Sequence, residues 1–171
     1  MTPALLLEAL RLKALPRAGW VRAGVEGAES VAAHSWGLAW LAALLCPPEL
    51  DRARVLEIAI VHDLPEVRAG DITPHDGVSR EEKQARELAA AEGLLGGAPR
   101  MLAAWHEYED NVTPEARFVH ALDKLDMGLQ ALRYAEDQSV DTAEFVESAR
   151  RKLPDELWAL LAAARQHSIT R

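Results

Sequence analysis

The amino-acid sequence predicts an all-α fold. Hydrophobic residues recur at helical spacing over most of the 171 residues, and proline and glycine interrupt them at intervals. Alternating β-branched runs bounded by turn residues, which indicate strands, are missing from the sequence. With 49% hydrophobic residues, the chain can form one domain with a substantial core but not two ordinary ones. We therefore expect a single domain over residues 1–171, built from about six to eight helices.

Side chains that favour helix N-caps precede most of the apolar segments. Their oxygens accept hydrogen bonds from the free N–H groups of the first helical turn. Such residues stand at five predicted helix starts: Thr2, Ser30, Asp51, Ser79 and Thr113. Pro3 and Pro114 follow two of these caps, and Glu82 completes a capping box with Ser79. These five caps open the first, second, third, fourth and sixth helices.

Proline and glycine mark where the predicted helices end. The first four helices end near these residues: Pro16, Pro47-Pro48, Pro65 and Gly96-Gly97. The fifth helix opens at Pro99, the long sixth ends near Glu136, and two shorter helices follow Asp141 and Pro154. Two turn-rich segments are predicted to be loops, residues 16–29 and residues 70–78.

Charge and cysteine content exclude several classes of protein. The chain carries 19 Lys+Arg against 27 Asp+Glu, a formal net charge of −8, and an acidic surface repels nucleic-acid polymers. Cys46 is the single cysteine, which excludes an internal disulfide and a cysteine-rich zinc site. The sequence has neither a signal-peptide pattern nor a run of about 18 uncharged apolar residues. We therefore expect a cytoplasmic protein without a membrane partner.

Two histidines stand in apolar helical surroundings. His34 lies within the stripe of Val31, Leu38 and Leu41 on the second helix, where the more common role is a core histidine bonded to a carbonyl. His62 and Asp63 end the very apolar third helix. A buried carboxylate there requires a partner or a metal, although an Asp63 at the helix end could also be solvated.

The sixth helix carries further acidic groups beside its apolar stripe. Asp123 and Asp126 are neighbours on one face, and His120 lies one turn before Asp123. The spacing does not choose among these three residues. Taken with the two histidines and Asp63, they form a nitrogen and oxygen donor set that suits one borderline divalent ion, such as Mn, Co, Fe, Ni or Zn.

The order of these residues resembles that of a known superfamily. His34, then His62-Asp63, then Asp123 is similar to the H…HD…D signature of HD-domain metal-dependent phosphohydrolases. Four segments resemble the HD-domain 5′-deoxyribonucleotidase family, including its eukaryotic branch: ESVAAHSW, IAIVHDLPEVRAGDITP, REEKQARE and ARFVHALDKLDMGLQA. The resemblance covers residues 10–155 and implies an all-α HD domain that acts as a homodimer. It implies hydrolysis of nucleoside 5′-monophosphates, chiefly deoxyribonucleotides, to nucleoside and phosphate by metal-activated water.

The resemblance also implies roles for particular residues. The ligands of one divalent ion, Mg included, would be these: His34, His62, Asp63 and Asp123. Asp123 is thereby selected over Asp126. Glu66 and Asp71 match the family's catalytic acidic residues, which orient the water or protonate the leaving oxygen. Arg17 matches the residue that binds the substrate phosphate, and Arg22 is a second candidate by proximity alone.

Two positions depart from the family pattern. Ala33 precedes His34 where many members have an acidic residue. Ala18 follows Arg17 where some members carry a tryptophan that senses the 2′ position of the sugar, and the nearest aromatic residue is Trp20.

Other aromatic and histidine residues are not assigned to the site. Trp36 and Trp40 could stack on a base, but we expect them to pack in the core or in a dimer interface. His75 and His106 could bind a second metal, but neither lies in an HD-like pair or an apolar stripe. We expect both histidines at the surface or beside the site.

Two rival functions remain open. Another HD chemistry, such as nucleoside triphosphate hydrolysis or cyclic-nucleotide hydrolysis, would favour a cluster of cations around the additional phosphates. The four lysines are spread along the chain and predict no such cluster: Lys13, Lys83, Lys124 and Lys152. A non-catalytic adaptor with a structural metal is the second rival, and its metal site would be closed to water and substrate.

Overall fold

The structure is a computed structural model that describes residues 2–169, with side chains described as far as residue 166. In this part of the chain there are helices and no strands, as predicted. The helices are α1 Pro3–Ala9, α2 Ala18–Arg22, α3 Val31–Leu45, α4 Arg52–Val61, α5 Glu66–Ala69, α6 Arg80–Leu95, α7 Pro99–Asp110, α8 Pro114–Gln138, α9 Ala143–Lys152 and α10 Asp155–Ile169. Seven of them have ten or more residues, which agrees with the expected six to eight. Within residues 2–169 no helix combines the length and apolarity needed to cross a membrane.

The predicted N-caps are confirmed. Each capping oxygen accepts a hydrogen bond from an N–H group in the first turn of its helix. Asp51 accepts two such bonds, from Ala53 and Arg54. Ser79 accepts from the N–H of Glu82 at 3.1 Å. The helix starts are therefore fixed by local chemistry that the sequence displays directly.

The N-terminal segment differs from the prediction. The first helix ends at Ala9 and continues as a 3-10 helix over Leu10–Ala14, so it is not one α-helix to Pro16. Residues 16–29 are not wholly a loop, because they contain the five-residue helix α2. A short antiparallel bridge closes this segment, in which Arg17 N–H donates to Glu29 O at 2.9 Å. A helix this short shows no recognisable apolar period, which explains why the sequence did not predict it.

The core forms around the long helix α8, which packs against α3, α4, α7, α9 and α10. Fully buried side chains at its centre include Leu38, Ile58, Leu122 and Leu125. A second cluster forms where α2 meets α8 and α9, with Trp20 and Tyr134 buried in it. The packing therefore brings one face of α3, the end of α4 and the middle of α8 together.

Trp36 and Trp40 lie outside the core. Their side chains are 71% and 52% exposed on the outer face of α3, which excludes the core, while the alternative of a dimer interface stays a prediction. Leu44 and Ile60 are also exposed. Aromatic residues four positions apart share a helix face, but this spacing does not determine whether that face points inward.

We predict that Gly128→Ala destabilises the fold, although alanine is about 1 kcal/mol more favourable than glycine inside a helix. An added Cβ would lie 2.6 Å from Cδ2 of Leu161 and 3.3 Å from Cβ of Ala149. Overpacking of this kind costs about 1–3 kcal/mol. The matched control is Gly93→Ala on α6, whose added methyl group meets only the far end of the flexible, partly exposed Arg68 side chain. Urea denaturation should give a lower free energy of unfolding for Gly128→Ala than for the control, and equal values would contradict this packing of α8.

Candidate active site

Three helices bring two histidines and an aspartate together in the interior. His34 lies on α3, His62 directly follows α4, and Asp123 lies in the middle of α8. Their residues are 1%, 3% and 6% exposed. One potential ligand atom from each lies within 4.8 Å of the others. This arrangement is a candidate metal-binding group.

Both imidazoles present Nε2 to the same point. Nδ1 of His62 is 2.9 Å from the carbonyl oxygen of Ala59, which only accepts, so Nδ1 carries the hydrogen and Nε2 has a free lone pair. Nδ1 of His34 contacts Asp126 Oδ2 at 2.7 Å, which favours the same tautomer. The two Nε2 atoms are 3.4 Å apart. Once a metal displaces any proton on these atoms, the two Nε2 lone pairs converge on one point, so these residues fit a metal.

Asp63, the fourth predicted ligand, lies next to these three residues. Its Oδ2 lies 3.0 Å from Nε2 of His62 and 3.6 Å from Nε2 of His34, and Arg17 Nη1 donates to it at 3.0 Å. The alternative of a solvated carboxylate at a helix end is therefore wrong. Burial alone would raise the pKa of Asp63, but His62 and Arg17 hold it below the ordinary value. We call His34, His62, Asp63 and Asp123 the His/Asp group.

The charges around His34 favour a cation at this point. Burial lowers the pKa of His34, but the carboxylates of Asp123 and Asp126 outweigh burial and raise this pKa to about 9. The pKa of Asp123 lies well below its ordinary value because Lys124 and His34 outweigh the effect of burial. A bound divalent ion supplies the positive charge that these carboxylates attract.

The structure distinguishes the residues that the spacing of α8 left open. Asp123 Oδ1 faces Nε2 of His34 at 3.2 Å, whereas Asp126 contacts the opposite nitrogen of the same ring. Nε2 of His120 lies 2.9 Å from the carbonyl oxygen of Tyr108, which only accepts, so this nitrogen carries the hydrogen and donates it. Its ring stacks on Tyr108. His120 is therefore outside the His/Asp group, and Asp126 supports it from behind.

Glu66 has a buried carboxyl oxygen without a hydrogen-bond partner. It is 5% exposed, and its Oε2 is the one buried side-chain oxygen or nitrogen without a partner among the residues described. Burial, followed by the negative charges of Asp63 and Asp71, raises the pKa of Glu66 well above its ordinary value. Burial and these two negative charges thus favour the protonated form of Glu66, which is the form that can donate a proton.

Asp71 and Arg17 are held together by the backbone around them. Gly70 has φ +81°, a left-handed conformation that turns the chain from α5 toward α2. Asp71 Oδ2 then accepts from the N–H of Ala18 at 2.7 Å and lies 4.0 Å from Nε of Arg17. The guanidinium of Arg17 thus bridges Asp71 and Asp63, next to the His/Asp group.

A cavity of about 420 Å³ opens beside these residues. Helix α2, the loop after Gly70, α8 and α9 form its walls. Five cationic and two anionic side chains line it: Arg17, Arg22, Lys124, Arg151, Lys152, Asp71 and Glu144. The expectation that the lysines form no cluster is wrong for two of them, because α8 and α9 are antiparallel neighbours across a short turn. Lys124 and Lys152 are far apart in the sequence, so their spacing did not predict that they share a cavity.

The remaining candidate residues have clear positions. Arg22 lines the cavity and pairs with Glu144. His75 is exposed at the cavity edge and His106 is exposed on α7, as expected for surface histidines. Trp20 also lines the cavity, and its Nε1 donates to Glu29 at 2.9 Å.

An all-α fold with a buried His/Asp group beside a cation-lined cavity defines a candidate metal-dependent hydrolase of phosphate esters. Residues 9–161 match the HD domain family. The chain belongs to this family, and the match covers most of its length.

Several relatives of this chain are named 5′-deoxynucleotidases. The chain is 42% identical over 131 residues to 5′-deoxynucleotidase HDDC2 of Xenopus laevis, with 74% of this chain and 65% of that protein covered. It is 36% identical over 170 residues to 5′-deoxynucleotidase HDDC2 of Dictyostelium discoideum, with 89% and 90% covered. The chain therefore spans slightly less than two thirds of the length of the frog relative.

A solved structure has the same fold. The crystal structure of the PH0347 protein from Pyrococcus horikoshii superposes with a TM-score of 0.82 at 31% identity. The superposition covers 96% of this chain and 99% of that one. The arrangement of helices around α8 is thus shared along nearly the whole chain.

We predict that Gly37→Ala weakens metal binding, although Gly37 is not itself a proposed metal ligand. An added Cβ on Gly37 would overlap Oδ1 of Asp126 and lie 3.1 Å from its Cγ, which would push this carboxylate away from His34. Loss of a carboxylate behind a metal-binding histidine typically costs about 10–100-fold in metal affinity. Titration calorimetry with Mn²⁺ should show such a loss for Gly37→Ala but not for the control Gly93→Ala. Wild-type affinity in a folded Gly37→Ala protein would contradict the role of Asp126.

Proposed function

We propose that this chain is a metal-dependent 5′-nucleotidase that hydrolyses nucleoside 5′-monophosphates, chiefly deoxyribonucleotides, to nucleoside and phosphate. The observation that carries the proposal is the buried His/Asp group beside a cavity lined by Arg17 and by four further cations. The names of the Xenopus and Dictyostelium relatives support the choice of substrate. A phosphate dianion would enter an acidic protein at the place where its positive charges collect.

We propose that the His/Asp group holds one divalent ion through His34, His62, Asp63 and Asp123. Two imidazole nitrogens and two carboxylates suit Mn, Co, Fe, Ni or Zn, and Mg is also compatible with the carboxylates. When bound, such an ion supplies polarisation of a phosphoryl oxygen and a lowered pKa for a water molecule. The chain's own contribution is to fix the two Nε2 atoms, through Ala59 behind His62 and Asp126 behind His34.

Arg17 is the proposed phosphate ligand. Its guanidinium lies between Asp63 and Asp71, which hold the planar group in one orientation and raise its pKa further despite its burial. Guanidinium groups bind phosphate oxygens through paired N–H donors. Because Arg17 also lines the cavity, it can bind a phosphate placed next to the His/Asp group.

Glu66 and Asp71 are the proposed catalytic acids and bases. The raised pKa of Glu66 favours its protonated form, which can protonate the 5′-oxygen as the phosphorus–oxygen bond breaks. Asp71 is fixed by the N–H of Ala18 and by Arg17, so it can orient the attacking water by accepting a hydrogen bond. Two carboxyl groups in different surroundings thus take different roles.

A nucleoside triphosphate is the second candidate substrate. Lys124, Arg151 and Lys152 line the same cavity and could contact additional phosphates. The closed metal site of an adaptor protein does not match a His/Asp group with a cavity of about 420 Å³ beside it. Comparison of mono-, tri- and cyclic nucleotides as substrates separates these possibilities.

The test is release of inorganic phosphate from each 5′-deoxyribonucleoside and ribonucleoside monophosphate, with Mn²⁺, Co²⁺, Mg²⁺ or EDTA. We expect release from deoxyribonucleotides with a metal ion and none with EDTA. Glu66→Gln should lower kcat by about 10²–10⁴-fold because amides cannot donate the required proton. Asp63→Asn should abolish metal-dependent release. Glu81→Gln, an exposed control on α6, should behave as the wild-type protein.

Other outcomes of this assay have definite meanings. Equal release from ribonucleotides would support the proposed hydrolysis and show that a site with Ala18 after Arg17 does not distinguish deoxyribose from ribose. Release from triphosphates alone would support the second candidate. A protein that binds metal but hydrolyses none of these esters would contradict the proposed function.

We also propose that the protein is cytoplasmic, because a single cysteine, Cys46, is typical of a reducing compartment. We further propose that two copies associate through the exposed apolar face of α3 and α4. A groove on this face is lined by nine residues, of which Lys13 alone is charged. Trp36 and Ile60 lie along it, so two chains of charge −8 could meet there with little repulsion.

Light scattering after size-exclusion chromatography tests this proposal. The wild-type protein should have twice the chain mass of 18.8 kDa. Trp36→Glu should give a monomer because it buries a charge in the interface, whereas Val112→Glu, at an exposed position before α8, should remain a dimer. A monomeric wild-type protein, or a dimeric Trp36→Glu variant, would contradict it.

A further inference from the structure

Helix α9 contributes two cations without a carboxylate partner to the cavity beside the His/Asp group. Arg151 and Lys152 both line this cavity. The other three cations that line it are paired, Arg17 with Asp63, Arg22 with Glu144 and Lys124 with Asp123. Among the side chains that the structure describes, no carboxylate lies within 4.0 Å of Arg151 or Lys152. These two charges are therefore available to a ligand.

The position of Lys152 connects it to the reaction centre. It shares the cavity with Lys124, whose Nζ donates to Asp123 Oδ2 at 2.8 Å. The positive charge of Lys124, with a smaller effect of burial, lowers the pKa of Lys152, so the two ammonium groups repel each other. An anion bound between the two ammonium groups would offset this repulsion by attracting both of them.

The end of a helix is a competing explanation for these cations. The last turn of α9 contains Arg150, Arg151 and Lys152, and cations are favoured beside the carbonyl end of a helix. Arg150 satisfies this preference away from the cavity, because its guanidinium lies over the ring of Trp158 at 4.8 Å. Helix-end electrostatics explains all three positive charges, but it does not explain why two of them line the cavity.

We propose that Lys152 binds the phosphate group of the substrate, and that Arg151 strengthens the attraction of anions to the cavity. This inference rests on the proposed nucleotidase function and adds cations of α9 to the phosphate site that Arg17 lines. Lys152 touches neither the bond that breaks nor the His/Asp group. It therefore determines how tightly the phosphate binds and not how fast the ester is cleaved.

The experiment compares Lys152→Gln with the matched control Arg150→Gln, which removes the same charge from the same turn of α9. Deoxyadenosine 5′-monophosphate is the substrate, with Mn²⁺ present. Lys152→Gln should raise KM about tenfold, as for loss of one charge-assisted hydrogen bond, and leave kcat unchanged. Arg150→Gln should leave both constants unchanged, and Lys152→Arg should restore KM.

Two product inhibitors show which part of the nucleotide Lys152 contacts. The inhibition constant of inorganic phosphate should rise with KM in Lys152→Gln, whereas that of deoxyadenosine should stay the same. An unchanged KM, a rise shared by Arg150→Gln, or a change for deoxyadenosine instead of phosphate would overturn the proposal.

A binding measurement separates failure of this inference from failure of the proposed function. Equilibrium dialysis of deoxyadenosine 5′-monophosphate in EDTA involves no turnover. If the wild-type protein hydrolyses no monophosphate but binds it about tenfold more tightly than Lys152→Gln, the anion site stands and the nucleotidase proposal fails. Equal binding by the two proteins, or no binding by either, would overturn the role of Lys152.

Discussion

Burial of ionisable groups at the junction of α3, α4 and α8 constrains the rest of this molecule. Two imidazoles and the carboxylate of Asp123 are almost fully enclosed there. Such groups cost several kcal/mol unless each has a charged or hydrogen-bonding partner. Asp126 pairs with His34, the carbonyl oxygen of Ala59 with His62, and Lys124 with Asp123, while Arg17 pairs with the neighbouring Asp63. The helices must therefore pack in one register, because a shift of any of them would leave a buried charge unpaired.

The same constraint links the site to segments far from it in sequence. Arg17 can reach Asp63 because the bridge between Pro16 and Ser30 fixes the chain just before α2. The carboxylate of Asp71 then binds the first N–H group of α2. Trp20, one turn later, packs against Phe145 of α9 and so fixes one wall of the cavity. The buried charges and the cavity are consequently parts of one rigid arrangement.

The sequence predicted the structural features that depend on neighbouring residues, but not those that contacts between distant residues determine. N-caps such as Thr113 and Ser30 act within one turn, so the long helices were predicted correctly. The spacing of α8 could not separate Asp123 from Asp126, because the choice depends on which nitrogen of His34 each one meets. Lys124 and Lys152 appeared scattered, since only the pairing of α8 with α9 brings them into one cavity. The sequence likewise left open whether Trp36 lies in the core or in an interface, because the packing of α3 determines which face is exposed.

The central claim is that the His/Asp group is a single metal site. Crystals grown with Mn²⁺ and measured near the manganese absorption edge test it directly. The account predicts one anomalous peak, bonded to Nε2 of His34, Nε2 of His62 and the carboxylates of Asp63 and Asp123. No peak at this position, or a peak between Glu29 and Asp126 on the other side of His34, would contradict it.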